Sequence, residues 1–404
     1  MERKGFPKFV ADSKVIVQPN SCFVYSKLLR LFDVFNFESV IHFERMTGTA
    51  SFENILDELK DEYESVDYNT LRSDFERIVT YLEKRGYIQI YECKQKEEFP
   101  IEFSDESEKA KAVHAEIELT KNCNLSCVYC YAESKNNAPD LPATKWIEIL
   151  DRMFNAGLRA VKITGGEPFL HRDFKEVVEY CSNKFIVTIN TNGHFIDNHI
   201  ARWLASLKLQ NVQISLDSIS SEVHDKYRGV RSWQKAMSGI QNLKESGVTV
   251  RLSCTTHNEN LGMAEKIKEF SKQHDIEVIF QVMQPVGNAE RLSDKVFIGN
   301  ACEITQHNVY SIYKMLDYME IKCQAQIGFV GITSDGFLKP CNLNERFFSE
   351  LKADVLGSIN YKFSYDQTNT FINIDRRCKE LSIIRRNDKH GFARCIFHDD
   401  INVV

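Results

Sequence analysis

The chain contains no run of the roughly 18 consecutive apolar residues that a membrane-spanning helix needs, so no membrane partner is expected. It shows no signal peptide either. Met1-Glu2-Arg3-Lys4-Gly5-Phe6-Pro7 carries charge, but no apolar core of the required length follows it. An excess of basic residues is also missing. Lys and Arg number 51 against 57 Asp and Glu, a net charge of −6, and this argues against a nucleic-acid partner held by phosphate neutralisation. Nor is the composition that of a disordered chain, with 43% hydrophobic and 27% charged residues. For 404 residues the expectation is a cytoplasmic globular protein of two or three domains. Cysteine, by contrast, is plentiful. Twelve in a chain without an export signal read as metal or redox ligands rather than as disulfides.

Three of the twelve stand together in Leu-Thr-Lys-Asn-Cys-Asn-Leu-Ser-Cys-Val-Tyr-Cys-Tyr, residues 119–131. Cys123, Cys127 and Cys130 on one loop can converge on a soft metal centre, and thiolates select zinc or iron–sulfur. A structural zinc site takes four ligands. Three ligands on a four-iron cube leave one iron open for chemistry. Downstream, Gly165-Gly166-Glu167-Pro168 follows a short apolar strand.

The cysteine spacing together with Gly-Gly-Glu-Pro resembles the radical S-adenosylmethionine (SAM) enzymes. The resemblance implies that Cys123, Cys127 and Cys130 hold a [4Fe–4S] cluster whose open iron chelates SAM. One electron would then cleave SAM to methionine and a 5′-deoxyadenosyl radical, which takes a hydrogen from the substrate. The same resemblance puts Gly165, Gly166 and Glu167 at the methionine amine and the backbone of Tyr129 at the adenine. A lone zinc loop or packed free thiols is the plainer alternative.

Residues 1–98 read as a winged-helix unit. Val15-Ile16-Val17 and Phe23-Val24-Tyr25 pattern as strands. Ser51 reads as the N-cap of a helix with Phe52, Ile55, Leu56, Leu59 and Tyr63 on one face. A second helix carries Leu71, Phe75, Ile78, Val79 and Leu82 and stops at Lys84-Arg85-Gly86. Residues 87–91 alternate as a wing strand. The layout resembles the recognition element of peptide-maturing enzymes, which add a leader peptide as an extra strand at a sheet edge. A structural cap on the barrel is the alternative. Residues 99–112 read as a charged linker.

From 113 to 300 strands and helices alternate, with six strands near 113–119, 160–164, 185–190, 212–216, 249–253 and 277–283. Alternation of this kind predicts a parallel sheet with helices outside it. Six strands are too few for a closed eight-stranded barrel. The family precedent is an α/β fold, a partial (β/α)6 TIM-like barrel with its functional residues at the carboxyl ends of the strands. By that rule Asn192 would lie near the ribose or methionine of SAM, and Ser215 and Asp217 near the ribose hydroxyls. An arginine at the place of Arg228 pairs with the SAM carboxylate in the family, a task that suits a planar, permanently charged fork. Each has a plainer reading as a turn, cap or loop residue. Of the remaining histidines, which include His171, His194 and His257 in polar loops or at element ends, most read as solvated. Pro285-Val286-Gly287-Asn288 resembles the family's proline–glycine turn, but with Asn288 where a basic residue is more usual.

Residues 301–404 read as a bridging helix and a small iron–sulfur domain. Cys323, twelve residues, Gly336, four residues and Cys341 resemble the opening of the auxiliary-cluster domains called SPASM or twitch. With Cys378 and Cys395 this implies one auxiliary cluster, [2Fe–2S] or [4Fe–4S], the alternative being zinc or buried thiols. The expected function is a radical SAM maturase that binds a precursor peptide by its leader and installs a crosslink, a thioether ahead of a carbon–carbon bond. An electron donor such as flavodoxin or ferredoxin would serve it. The rival readings are a sulfatase activator, a peptide epimerase and a non-catalytic iron–sulfur winged-helix regulator.

Overall fold

The computed structural model describes residues 4–18, 21–36, 39–98, 101–103, 113–134, 136–283, 287–292, 329–339 and 353–354. Contacts divide the chain into two units that part at Lys109–Ala110, each with its own apolar core.

In the first unit, β1 (Phe6–Phe9) is followed by β2 (Ser13–Gln18), β3 (Ser21–Ser26) and β4 (Leu31–Asn36), then by α1 (Val40–Phe43), α2 (Phe52–Glu62), α3 (Tyr68–Arg85), β5 (Ile88–Tyr91) and β6 (Ile101–Phe103). The helices start and stop where their sequence says. Ser51 caps α2 by accepting from the backbone N–H of Asn54, and Asp67 caps α3 by accepting from Asn69 and Thr70. Gly86 ends α3 in the left-handed region at φ 80°. Phe52, Ile55, Leu56 and Leu59 of α2 meet Leu71, Phe75, Val79 and Leu82 of α3, and the joint face covers Val15, Val17 and Val24.

Two features depart from the sequence reading. Part of the expected linker is a strand: β6 pairs in parallel with β2, aligning Val15 with Ile101, so the first sheet runs β4-β3-β2-β6. The expected wing, β5, pairs among the described residues with β1, in a separate two-stranded ribbon.

The second unit holds β7 (His114–Glu118), α4 (Ala143–Asn155), β8 (Ala160–Thr164), α5 (Phe174–Lys184), β9 (Ile186–Thr191), α6 (Asn198–Ser206), β10 (Asn211–Ser215), α7 (Ser221–Arg228), α8 (Ser232–Glu245), β11 (Val250–Thr256), α9 (Ala264–His274), β12 (Glu277–Val282), β13 (Phe329–Ile332), β14 (Phe337–Lys339) and β15 (Ala353–Asp354). All six expected strands form, and they pair in parallel in sequence order from β7 to β12. A seventh parallel strand, β13, joins the outer edge of β7, and β14 and β15 extend the sheet antiparallel beyond it. This is an open α/β sheet of the partial-barrel kind. A turn at Thr333-Ser334-Asp335-Gly336 links β13 to β14.

Alternation along these strands separates two environments. Ala115, Ile117, Val161, Ile163, Val187, Ile189, Val212, Ile214, Leu252 and Cys254 belong to the apolar core that the helices cover. The residues between them, including Glu116, Glu118, Lys162, Gln213 and Ser253, make the opposite face polar. Lys162 pairs with Glu116 at 2.9 Å on that face. Among the described residues no helix is long and apolar enough to cross a membrane. The expected bridging helix and Cys323, Cys341, Cys378 and Cys395 lie outside the described residues.

Candidate functional site

The site sits beyond the carboxyl ends of β7 to β12 and is built by main-chain hydrogen bonds first. Past β7 and β8 the ladder continues without regular strand geometry. Leu119 N–H donates to Thr164 at 2.8 Å, Gly166 N–H to Thr120 at 2.7 Å and Glu167 N–H to Asn122 at 2.7 Å. This places the segment entering the cysteine loop flat against Gly165-Gly166-Glu167. The two glycines are a steric requirement of that approach. A Cβ on Gly165 would stand 2.3 Å from the carbonyl oxygen of Thr120, and one on Gly166 would stand 2.3 Å from that of Asn122. Gly165 also holds φ +145°. Asn122 fixes the far side of the loop by accepting from Ala138 N–H at 2.8 Å.

Cys123, Cys127 and Cys130 are each partly accessible and none is in a disulfide. Burial pushes the Cys123 thiol up to about 12 and the Cys127 thiol up to about 11. Unliganded, both stay protonated at neutral pH, and a coordinating metal is what would deprotonate them. Leu125 N–H points at the Cys123 sulfur at 3.4 Å, and a hydrogen bond to a ligand sulfur is one of the groups that tune an iron–sulfur centre. Among the described residues no three Cys, His, Asp or Glu side chains converge tightly enough for a single metal ion. The donor set, three soft sulfurs on one loop, is the chemistry that zinc and iron–sulfur centres share.

Glu167 is fully buried, and burial raises its carboxyl to about 7 despite three donors. These are the Thr191 hydroxyl at 2.7 Å, Asn192 N–H at 2.8 Å and Phe169 N–H at 3.4 Å. Asn192 donates its side-chain amide to Asn124 of the cysteine loop at 2.8 Å. Gly165, Gly166, Glu167 and Asn192 therefore all touch the cysteine loop or the segments that brace it. Ser215 ends β10, two residues before Asp217.

Asp217, expected near ribose hydroxyls, and Arg228, expected at a carboxylate, are paired with each other. Arg228 Nε and Nη2 donate to the two Asp217 oxygens at 2.7 and 3.0 Å, and the pair is buried. Thr255 N–H adds a bond at 3.0 Å, and the Tyr129 hydroxyl also donates to Asp217. The reason is α7, which carries Arg228 back to the end of β10. Arg228 holds the Asp217 carboxyl below its usual range against the opposing effect of burial. Tyr129 thus reaches the site with its side chain as well as its backbone.

The reading of most histidines as solvated is corrected. His171 is buried, its ring bonded to the Leu141 carbonyl at 2.9 Å and to Asp173 N–H at 3.0 Å. His257 is buried beside Tyr227, ring centroids 3.9 Å apart, and among the described residues neither ring nitrogen has a hydrogen-bond partner. His194 is partly buried. Sequence reasoning missed His224, whose Nδ1 accepts from Asp217 N–H at 3.1 Å. Burial lowers both His224 and His257 to about 4. Nothing in the local pattern marks these rings, because residues distant in sequence bury them.

Residues 117–271 match the model of the radical SAM superfamily, and the segment is a radical SAM domain. Over 243 residues the chain is 31% identical to the subtilosin biosynthesis protein AlbA of Bacillus subtilis, covering 56% of this chain and 51% of AlbA. Over 173 residues it is 32% identical to the mycofactocin maturase MftC of Mycobacterium tuberculosis, covering 42% of this chain and 44% of MftC. The chain thus spans about half or less of these curated relatives. Other relatives include a Fe-coproporphyrin III synthase, so the barrel segment by itself does not name a substrate. The structure of Streptococcus suis SuiB bound to its precursor peptide SuiA resembles this chain at TM-score 0.57 and 15% identity, covering 97% of this chain and all of that one. At that identity the likeness concerns the fold.

Proposed function

We propose that this radical SAM enzyme is a maturase of a ribosomally made precursor peptide, holding the leader with its first unit and crosslinking the core peptide at its barrel. The observation that carries the reading is one chain joining two things: a radical SAM domain and a separately cored N-terminal unit with an open strand edge. In the sheet β4-β3-β2-β6, β4 has one partner among the described residues. Helix α3 flanks it, with Tyr81 stacking edge-on to Phe35 at 5.8 Å and bonding Asp33 at 3.0 Å. Leu28, Leu29 and Tyr81 are exposed there. An edge strand beside a helix, with apolar side chains at the surface, is what an added peptide strand would use. The named relatives that act in bacteriocin and mycofactocin biosynthesis, and SuiB with its precursor, support the same substrate class.

Cys123, Cys127 and Cys130 would hold the [4Fe–4S] cluster. Gly165 to Glu167 would receive the amine of SAM, with Tyr129, Asn192 and Ser215 around its nucleoside. Cluster and SAM together supply one-electron cleavage and hydrogen-atom abstraction. The chain's own residues do the positioning. The glycine pair lets the cysteine segment lie flat, Asn192 ties the loop to β9, and Asp217 with Arg228 fixes the Tyr129 ring. A leader bound to the same chain raises the effective concentration of its core at the site. Closing a thioether, favoured over a carbon–carbon bond, removes one more electron and one proton. We assign Cys323, Cys341, Cys378 and Cys395 to an auxiliary [2Fe–2S] or [4Fe–4S] cluster that accepts that electron. A cytoplasmic flavodoxin or ferredoxin would supply the reducing electron.

The test takes the short peptide encoded beside this chain, the reduced reconstituted enzyme and SAM. A crosslink lowers the peptide mass by two hydrogens. No mass change would point to epimerisation. Removing residues 1–109 should abolish peptide binding; equal binding by the shortened chain would remove the leader-binding role.

A further inference from the structure

The turn after β12 makes contacts that the reading above leaves unused. Gly287 holds φ +60°, and a Cβ there would stand 2.5 Å from the carbonyl oxygen of Cys130 and 2.7 Å from that of Tyr131. The next residue uses this closeness. Asn288 N–H donates to the Cys130 carbonyl at 2.9 Å, and its side-chain amide donates to the Cys127 carbonyl at 3.2 Å. Both acceptors are carbonyls of the cysteines themselves. Ala289, fully buried, packs with Tyr129, Tyr227 and Met283 beneath the loop. On the other side Tyr227 accepts from Val128 N–H at 3.0 Å. The cysteine loop is thus clasped between the end of α7 and the 287–289 turn. Cys130 N–H reaches back to Cys127 at 3.2 Å within it.

We propose that Asn288 is a positioning residue: its two hydrogen bonds hold the cysteine loop in its ligand-presenting shape before any cluster is bound. A side chain of another type fails for a chemical reason. The Cys127 carbonyl needs a donor at that place. Aspartate offers none at neutral pH, and alanine offers nothing. Lysine or arginine, longer and more strongly solvated, would have to fold back to make the same bond. The proposal rests on the reading of Cys123, Cys127 and Cys130 as cluster ligands. Groups that orient ligands are commonly as important to a metal centre as the ligands.

The experiment compares wild type, Asn288→Ala and the near-isosteric Asn288→Asp, all as full-length chains. Backbone hydrogen exchange is followed in the metal-free proteins, and iron loss to a chelator in the reconstituted ones. Losing one such hydrogen bond should speed exchange across residues 123–131 about two- to tenfold, with β8 and α5 unchanged. Iron should leave both variants faster than wild type. Unchanged loop exchange in both variants overturns the proposal. So does a rise of equal size throughout the second unit, the mark of general loosening. If wild type takes up no iron, the cluster reading fails, while the exchange result still decides the role of Asn288.

Discussion

Asp217 and Arg228 form a charged pair whose members depend on each other. The pair is buried, and truncating one member leaves the other charged and unpaired. Asp217→Ala should therefore cost about 3–5 kcal/mol in the second unit, read by urea denaturation; an aspartate that only met a ligand would cost little in the unliganded protein. Glu167 carries a pH signature. Its folded carboxyl is raised from the ordinary 4.5 to about 7 by burial, so the fold prefers it protonated. Its stabilising share is full below about 4.5 and is lost as pH rises through about 7. His224 and His257, lowered from 6.5 to about 4, act oppositely: their share is present above 6.5 and lost as pH falls toward 4. The clean readout is a difference. Between pH 5 and 8 the melting temperature of wild type should fall relative to that of Glu167→Gln, and parallel curves would contradict the assignment. The cysteine spacing and the Gly-Gly-Glu segment were legible because ligand type and close backbone approach tolerate few residues. The pairing of Asp217 and the burial of His257 were not, since their partners Arg228, Thr255 and Tyr227 come from other elements.

Among the elements, the legible ones were those whose pattern is local. The α2 and α3 helices show caps, apolar stripes and a terminal glycine, and each forms as read. Ser51→Ala should lower the stability of the first unit by about 1 kcal/mol, measured by thermal melting. The missed elements owe their existence to partners. β6 is three residues long and is a strand only because β2 offers an edge; β13 extends β7 from more than 200 residues away in sequence. α7 is short and polar, without an apolar stripe to announce it. The edge at β4 has a prediction of its own. Replacing exposed Leu28 and Leu29 with Asp should weaken leader binding about tenfold or more, as titrated with a labelled leader, while leaving SAM cleavage intact. Undiminished binding would place the leader elsewhere.

At the scale of the molecule, charge and composition bounded the function without naming it. A net charge of −6 argues against a nucleic-acid partner, while the substrate class rests on the first unit and on the relatives. Two cores in one chain allow binding and chemistry to be tested apart. The most direct measurement is 5′-deoxyadenosine released from SAM by anaerobically reconstituted, reduced enzyme. The account predicts release by wild type and none by Cys123→Ala, Cys127→Ala or Cys130→Ala. A wild-type protein that binds its iron and leaves SAM intact would contradict it.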